Sequence, residues 1–290
     1  MPLVLKKVSD HIASNPIVAR LAVQPSEVIQ FFNIPKAKQD RVLEIYINMV
    51  KPRLLHCMEI SENIAKENEE IRLRINENRI KIQSNGRVVE VPQISRLKEQ
   101  VETYLYNAKS FLRDLALIFE PLFGAHFDHS RYHEIKCRFK KEFGANTPVS
   151  KLLTADATWL KRVVDMRNAV EHPEGKRGLL HVLNVELIGQ DSKRRTFQEP
   201  VWFLEGESPV GIVPDMRTIL DNLLTFAEDL LIATYMQLHP NSIVQFAQIT
   251  EQDRDPKCPV RLRAILDQSR LKPNNAMQPT PQSGVADGES

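Results

Sequence analysis

The chain has 290 residues, enough for one or two domains with a substantial buried core. Its 42% apolar and 26% charged content is ordinary for a soluble globular protein. A formal net charge of +2 creates no whole-protein field for a nucleic acid, so any such attraction must be local.

Cys57, Cys137 and Cys258 are far apart and form no CxxC pair, so reduced thiols in a cytoplasmic compartment are expected rather than a disulfide framework. The opening stretch MPLVLKKVSDHIASNP lacks a basic region followed by a sufficient apolar run. No segment approaches the ~18–20 continuous apolar residues of a membrane span. A soluble cytoplasmic protein without membrane contact is the expectation.

Residues 1–35 read as irregular, punctuated by Pro2, Pro16, Pro25 and Pro35, with one short helix around 26–32. A long helical pattern follows over 36–77, through Val42, Ile45, Tyr46, Met49, Leu54 and Ile64. Pro52 is expected to kink or split it, and if continuous it would reach about 60 Å. Its polar second half, SENIAKENEE, is expected to project. Over 79–91, Ile80 and Ile82 alternate with polar residues, Val89 and Val91 return, and Asn85-Gly86 suits a type I′ hairpin turn. The segment 36–93 thus reads as a long helix or helix pair with a hairpin extension.

The cleanest helix spans 94–121. Ile94, Leu97, Val101, Leu105, Ala108, Leu112, Leu115 and Phe119 step by three and four to form one core stripe. Shorter helices are expected at 129–143 and 148–153, and another over 155–172 with Thr154 or Asp156 as its cap. A second β-like insert covers 179–213: one strand over 179–187, a polar turn, another over 200–205, and a third candidate at 209–213. An amphipathic helix over 215–238 begins at Pro214 and Asp215. A short helix near 260–270 and a tail with the composition of disorder complete 251–290. The predicted architecture is mainly α: a helical bundle over 94–250 carrying the 179–213 insert, decorated by two β-hairpins.

Near the middle of the chain stands 167-RNAVEHPEG-175. With Leu160 at zero and 100° per residue, Trp159, Val163, Val164, Met166 and Val170 fall within one apolar arc. Arg167 and Glu171 fall inside that arc, near about 340° and 20°, while Asn168 and His172 line its edge. The core stripe therefore turns polar in its last turn. An i,i+4 ion pair with a histidine favoured by the helix dipole explains this, and so does a polar cleft or subunit interface. Helix geometry alone leaves both open. Pro173 and Gly175 end the helix just after His172.

RNAVEH resembles the Arg–polar–x3–His signature of the HEPN superfamily, whose members are small helical bundles. Arg167 fills its first position, Asn168 the polar one and His172 the last, late in the chain at a helix end with a bundle helix downstream. The resemblance covers roughly 94–238; the long N-terminal helix and both hairpins are elaborations on the minimal bundle. It implies a metal-independent endoribonuclease, often a toxin of a toxin–antitoxin or phage-defence system. RNA would be the substrate, an antitoxin or other protein a partner, and a homodimer would bring two motifs to one cleft. No cofactor or metal is implied.

The residue types suit that chemistry. RNA carries its own nucleophile, the 2′-OH, beside each phosphate. His172 can move protons near neutral pH, Arg167 can stabilise phosphorane charge through its bidentate fork, and Asn168 can hold a phosphate or orient His172. Separate acid and base roles would suit a symmetric dimer with two histidines. The alternatives are a non-catalytic HEPN module that binds nucleotide, RNA or a partner, and a helical scaffold in which RNAVEH is incidental.

Two other features carry candidate chemistry. His129, His133 and Cys137 would share a helical face as zinc ligands, but with no standard finger spacing. Basic clusters at 136–143 and 192–195 could meet phosphates, or be a solvated face and a hairpin turn. No Gly-rich phosphate loop, GxSxG or HExxH string occurs.

Overall fold

A computed structural model describes residues 12–77, 90–125, 127, 131–175, 178–190 and 195–270. Asn15 starts the first helical run. Its Oδ1 accepts from the Ile17 amide at 2.9 Å, and Pro16 takes a first-turn position where no N–H is needed. The run continues through α1 (Pro16–Val18), a π-helical stretch (Ala19–Val23), α2 (Gln24–Val28) and a 3-10 turn (Ile29–Phe31). An irregular segment with one helix near 26–32 was expected here. The described part is instead helical from Pro16, because its prolines fall where a helix tolerates them.

Next, α3 (Lys36–Glu44), a π-helical stretch (Ile45–Val50) and α4 (Lys51–Asn76) follow without interruption. Pro52 neither splits nor ends the helix. Like Pro25, it sits two residues past a π-helical stretch, and such a widened turn relieves the clash between the proline ring and the preceding carbonyls. The polar second half of α4 does not simply project either. Ile60, Ser61, Ile64 and Ile71 are buried, and the Ser95 amide donates to Glu67 Oε2 at 2.8 Å. The hairpin expected around Asn85-Gly86 lies outside the described residues.

α5 (Leu97–Leu115) buries the whole predicted stripe from Ile94 to Leu115, and Phe119 continues it. A 3-10 turn (Ala116–Ile118) and α6 (Phe119–Phe123) end at Gly124, whose φ of 67° lies in the left-handed region that glycine adopts freely. α7 (Tyr132–Phe143), α8 (Pro148–Ala155) and α9 (Ala157–Glu171) come next.

The second insert is not a simple hairpin. β1 (Leu180–Leu183) pairs antiparallel with β4 (Val201–Leu204), and β2 (Glu186–Gln190) pairs with β3 (Arg195–Gln198). β5 (Val210–Gly211) adds to the other edge of β4. The ribbon breaks at Asn184 because that side chain is used elsewhere: it accepts from the Ile94 amide at 3.0 Å and donates to the Ile94 carbonyl at 2.9 Å. This ties the insert to the entrance of α5.

α10 (Ile212–Leu238) begins three residues before the expected start. The chain then forms a hairpin of β6 (Val244–Gln248) and β7 (Leu262–Leu266) in continuous register from Val244↔Leu266 to Gln248↔Leu262. The helix expected near 260–270 is thus replaced by β7, leaving only a 3-10 turn at Gln268–Arg270. Phe246 of β6 packs edge-on against Phe31 and Tyr235, so a strand at this position fills a groove between helices that a charged helix would not.

One hydrophobic core runs from Ile17 to Tyr235, and Val42, Ile45, Tyr46 and Leu54 belong to it. The 36–76 helix is therefore part of the bundle interior. Three buried tyrosines cross-link its helices: Tyr46 donates to the Ala227 carbonyl, Tyr104 to Met216 and Tyr132 to Leu112, at 2.7–2.8 Å. No helix of the described residues is long and apolar enough to cross a membrane.

Candidate functional site

α9 is fixed at its start by two carboxylates. Asp156 does not cap the backbone with its side chain; its Oδ1 accepts from the Trp159 indole at 2.8 Å. Asp215 of α10 receives both guanidinium arms of Arg162, at 3.1 and 2.6 Å, and the Trp202 indole from β4 at 2.6 Å. One carboxylate thereby sets the position of α9 against α10 and the sheet. Leu160, Val163, Met166 and Ala169 are buried, which leaves the last turn to face α5.

There the stripe turns polar, and α5 explains why. Lys109 reaches across to donate to Asn168 Oδ1 and to Glu171 Oε2, each at 2.9 Å. Glu171 also receives Arg167 Nη2 on its other oxygen at 3.1 Å, the expected i,i+4 pair. Burial pushes the Glu171 carboxyl up, but the Lys109 hydrogen bond and the charges of Lys109, Arg167 and His172 outweigh it and hold it below the usual glutamate range.

Arg167 is only 14% exposed, its Cζ lies 5.6 Å from the centre of the Tyr106 ring, and its Nε is buried with no acceptor among the described residues. Leaving such a donor unmade costs about 1–3 kcal/mol.

His172 stands at the helix terminus. Its amide donates to the Asn168 carbonyl at 2.8 Å, and its ring is exposed, with no hydrogen bond to the described residues. Gly175 folds back so that its amide donates to the His172 carbonyl at 2.8 Å, and a Cβ there would stand 2.9 Å from that carbonyl. Only glycine permits this closure, which turns the chain away and leaves the histidine open.

The three expected residues are thus disposed unequally. Arg167 and Asn168 meet in one network through Glu171 and Lys109, while His172 stands beside it as an unoccupied ring. Lys109 and Tyr106 were missed by the sequence reading. They occupy the outward face of α5, where Tyr106, Lys109 and Arg113 recur at i, i+3 and i+7; that spacing was visible, but which helix would face α9 was not.

The alternative features lie elsewhere. His129 is outside the described residues, His133 and Cys137 are exposed, and no group of three or more potential metal ligands gathers among the described residues. Of the basic cluster at 136–143, Lys136 lines a pocket of about 380 Å³ between α7, α8 and α9, whose far wall includes Asn168. Arg138 pairs with Glu142 and covers the Phe127 ring. Residues 192–194 of the other basic cluster are outside the described residues. All three cysteines are free thiols, and burial pushes the Cys57 thiol far up, which keeps it protonated.

No family model, no curated protein and no solved structure matches this chain. The class the fold defines is a mainly helical protein with small antiparallel sheets.

Proposed function

We propose that this chain is a metal-independent endoribonuclease of HEPN type, working as a homodimer in which two copies of the 167–172 motif face one cleft. The observation that supports it is the end of α9, where Arg167, Asn168, Glu171 and Lys109 form a cationic polar network and an exposed, unengaged His172 stands at its edge. His172 takes the proton from the 2′-OH or returns one to the leaving 5′-oxygen. Arg167 and Lys109 offset charge on the phosphorane, and Asn168 orients the phosphate. The buried, acceptor-less Nε of Arg167 means the side chain gains a hydrogen bond if it swings out to an anion. The role as a toxin or phage-defence effector held by an antitoxin partner comes from the family resemblance alone, and the cytoplasmic setting from the three scattered cysteines.

One observation favours a second reading. The Arg167–Glu171 pair, packed on Tyr106, also works as a lock between α9 and α5 with no chemistry attached. Incubation of total RNA in chelator separates the two. On the ribonuclease reading, His172→Ala and Arg167→Ala each lower the cleavage rate by about 10²–10⁴-fold. Variants that cut as fast as the parent, or a parent that does not cut, leave the structural lock.

A further inference from the structure

Tyr106 is 44% exposed, on the face of α5 that also carries Lys109 and Arg113. Two guanidiniums flank its ring: Arg167 with Cζ 5.6 Å from the ring centre, and Arg53 of α4 at 5.8 Å. Both are within cation–π reach of about 6 Å, yet neither is at the ~3.5–4 Å of face-to-face contact. Beside the ring an open groove of about 580 Å³ runs between α4 and α5, lined by Met49, Arg53, His56, Tyr106, Asn107 and Arg113.

The charge of this groove has a direction. Its own lining sets Arg53 and Arg113 over Asp114, with Glu59 beside His56 at its margin, while Lys109 and Arg167 on Glu171 stand outside the lining, on the α9 side of Tyr106. Asp114 is 3% exposed, beneath the surface a ligand would touch, so the cations dominate what faces outward. Past Thr103 the balance turns negative, since Glu67, Glu70 and Glu99 outnumber Lys66 and Arg96 along the next groove. A polyanion is therefore accepted on the Arg113 side of Tyr106 and repelled on the Glu99 side.

We infer that the α4–α5 groove cradles a single-stranded RNA segment leading to His172: Arg53 turns from the Tyr106 ring to a phosphate, one base stacks on the ring in its place, and a neighbouring phosphate lies on Arg113. An exposed aromatic among arginines suits an unpaired base, whose face is free to stack, and not a duplex. The inference rests on the ribonuclease reading and names where its substrate lies.

The test uses the full chain with His172→Ala as a non-cutting background, and fluorescence anisotropy with a labelled short single-stranded RNA in chelator. Adding Tyr106→Ala should raise Kd by about 5- to 150-fold, the effect of losing one stacked base, and Tyr106→Trp should restore binding. Arg113→Ala should reduce the salt dependence of log Kd by about one phosphate contact. The duplex form of the same RNA should bind more weakly.

Tyr106→Ala binding as tightly as the background overturns the inference, as does displacement of the RNA by polyglutamate as readily as by polyuridylate. Cleavage by the unsubstituted chain, followed in parallel, separates the two claims. Cleavage with Tyr106-independent binding overturns the groove alone. Tyr106-dependent binding without cleavage supports the groove and overturns the ribonuclease, and neither binding nor cleavage overturns both.

Discussion

Glu171 holds together the polar end of α9, since its two oxygens take Arg167 and Lys109 separately. Its folded carboxyl titrates below the ordinary glutamate range, so the stabilisation it supplies is present above about pH 4.3 and is lost as pH falls through the lowered value. Glu171→Gln should therefore lower the unfolding free energy at neutral pH by roughly 1 kcal/mol or less for a pair this exposed, read as a lower urea midpoint. The gap to the parent should close as pH falls below the usual carboxylate range. A gap that stays constant down to acid pH would mean that Glu171 acts by shape and not by charge. Asn168 contributes differently, by giving Lys109 a second acceptor that places its ammonium between motif and groove.

Among the elements, α10 carries the most demanding electrostatic arrangement. Glu228 is fully buried, and both Arg20 from the N-terminal helical run and Arg261 next to β7 close on it, while Gln24 donates to its other oxygen at 2.8 Å. The Gln24 side-chain oxygen, Oε1, accepts from the Arg261 and Leu262 backbone amides at 2.9 and 2.8 Å. Chain start and β6–β7 hairpin are thus joined on one carboxylate. Removing it with Glu228→Ala leaves buried Arg20 with Thr225 alone and Arg261 with Asp229 alone, and should cost about 3–5 kcal/mol, read as a lower denaturant midpoint; a loss under about 1 kcal/mol would show that water replaces it.

None of this was legible in the sequence, because Arg20 stands 208 residues before Glu228 and Arg261 33 residues after it, and no local pattern marks them. Local periodicity did reveal α5, α9 and α10, whose apolar stripes dictate their burial. It failed for β7, since Leu262–Leu266 becomes a strand only because β6 offers an edge, and it gave no sign of the π-helical stretch just before Pro52, through which the helix continues unsplit. The candidate site was half legible: Arg167, Asn168 and His172 from the motif, but not Lys109 or Tyr106, which reach it through the packing of α5 on α9.

At the scale of the whole molecule, a single chain presents one His172 beside one cationic network, whereas transesterification uses an acid and a base. A symmetric dimer supplies both from two copies, and its interface would have to include the exposed end of α9. Sedimentation equilibrium at micromolar concentration should give twice the mass of the 33.3 kDa chain; a monomer that still cuts RNA would require another proton-transfer group.

The most direct test of the central claim is the chemistry of the cut ends. RNA incubated with the purified chain in excess chelator should yield 2′,3′-cyclic phosphate and 5′-hydroxyl termini, the products of attack by the 2′-OH, and the yield should collapse with His172→Ala. Intact RNA, termini with 5′-phosphate, or undiminished cleavage by His172→Ala would contradict it.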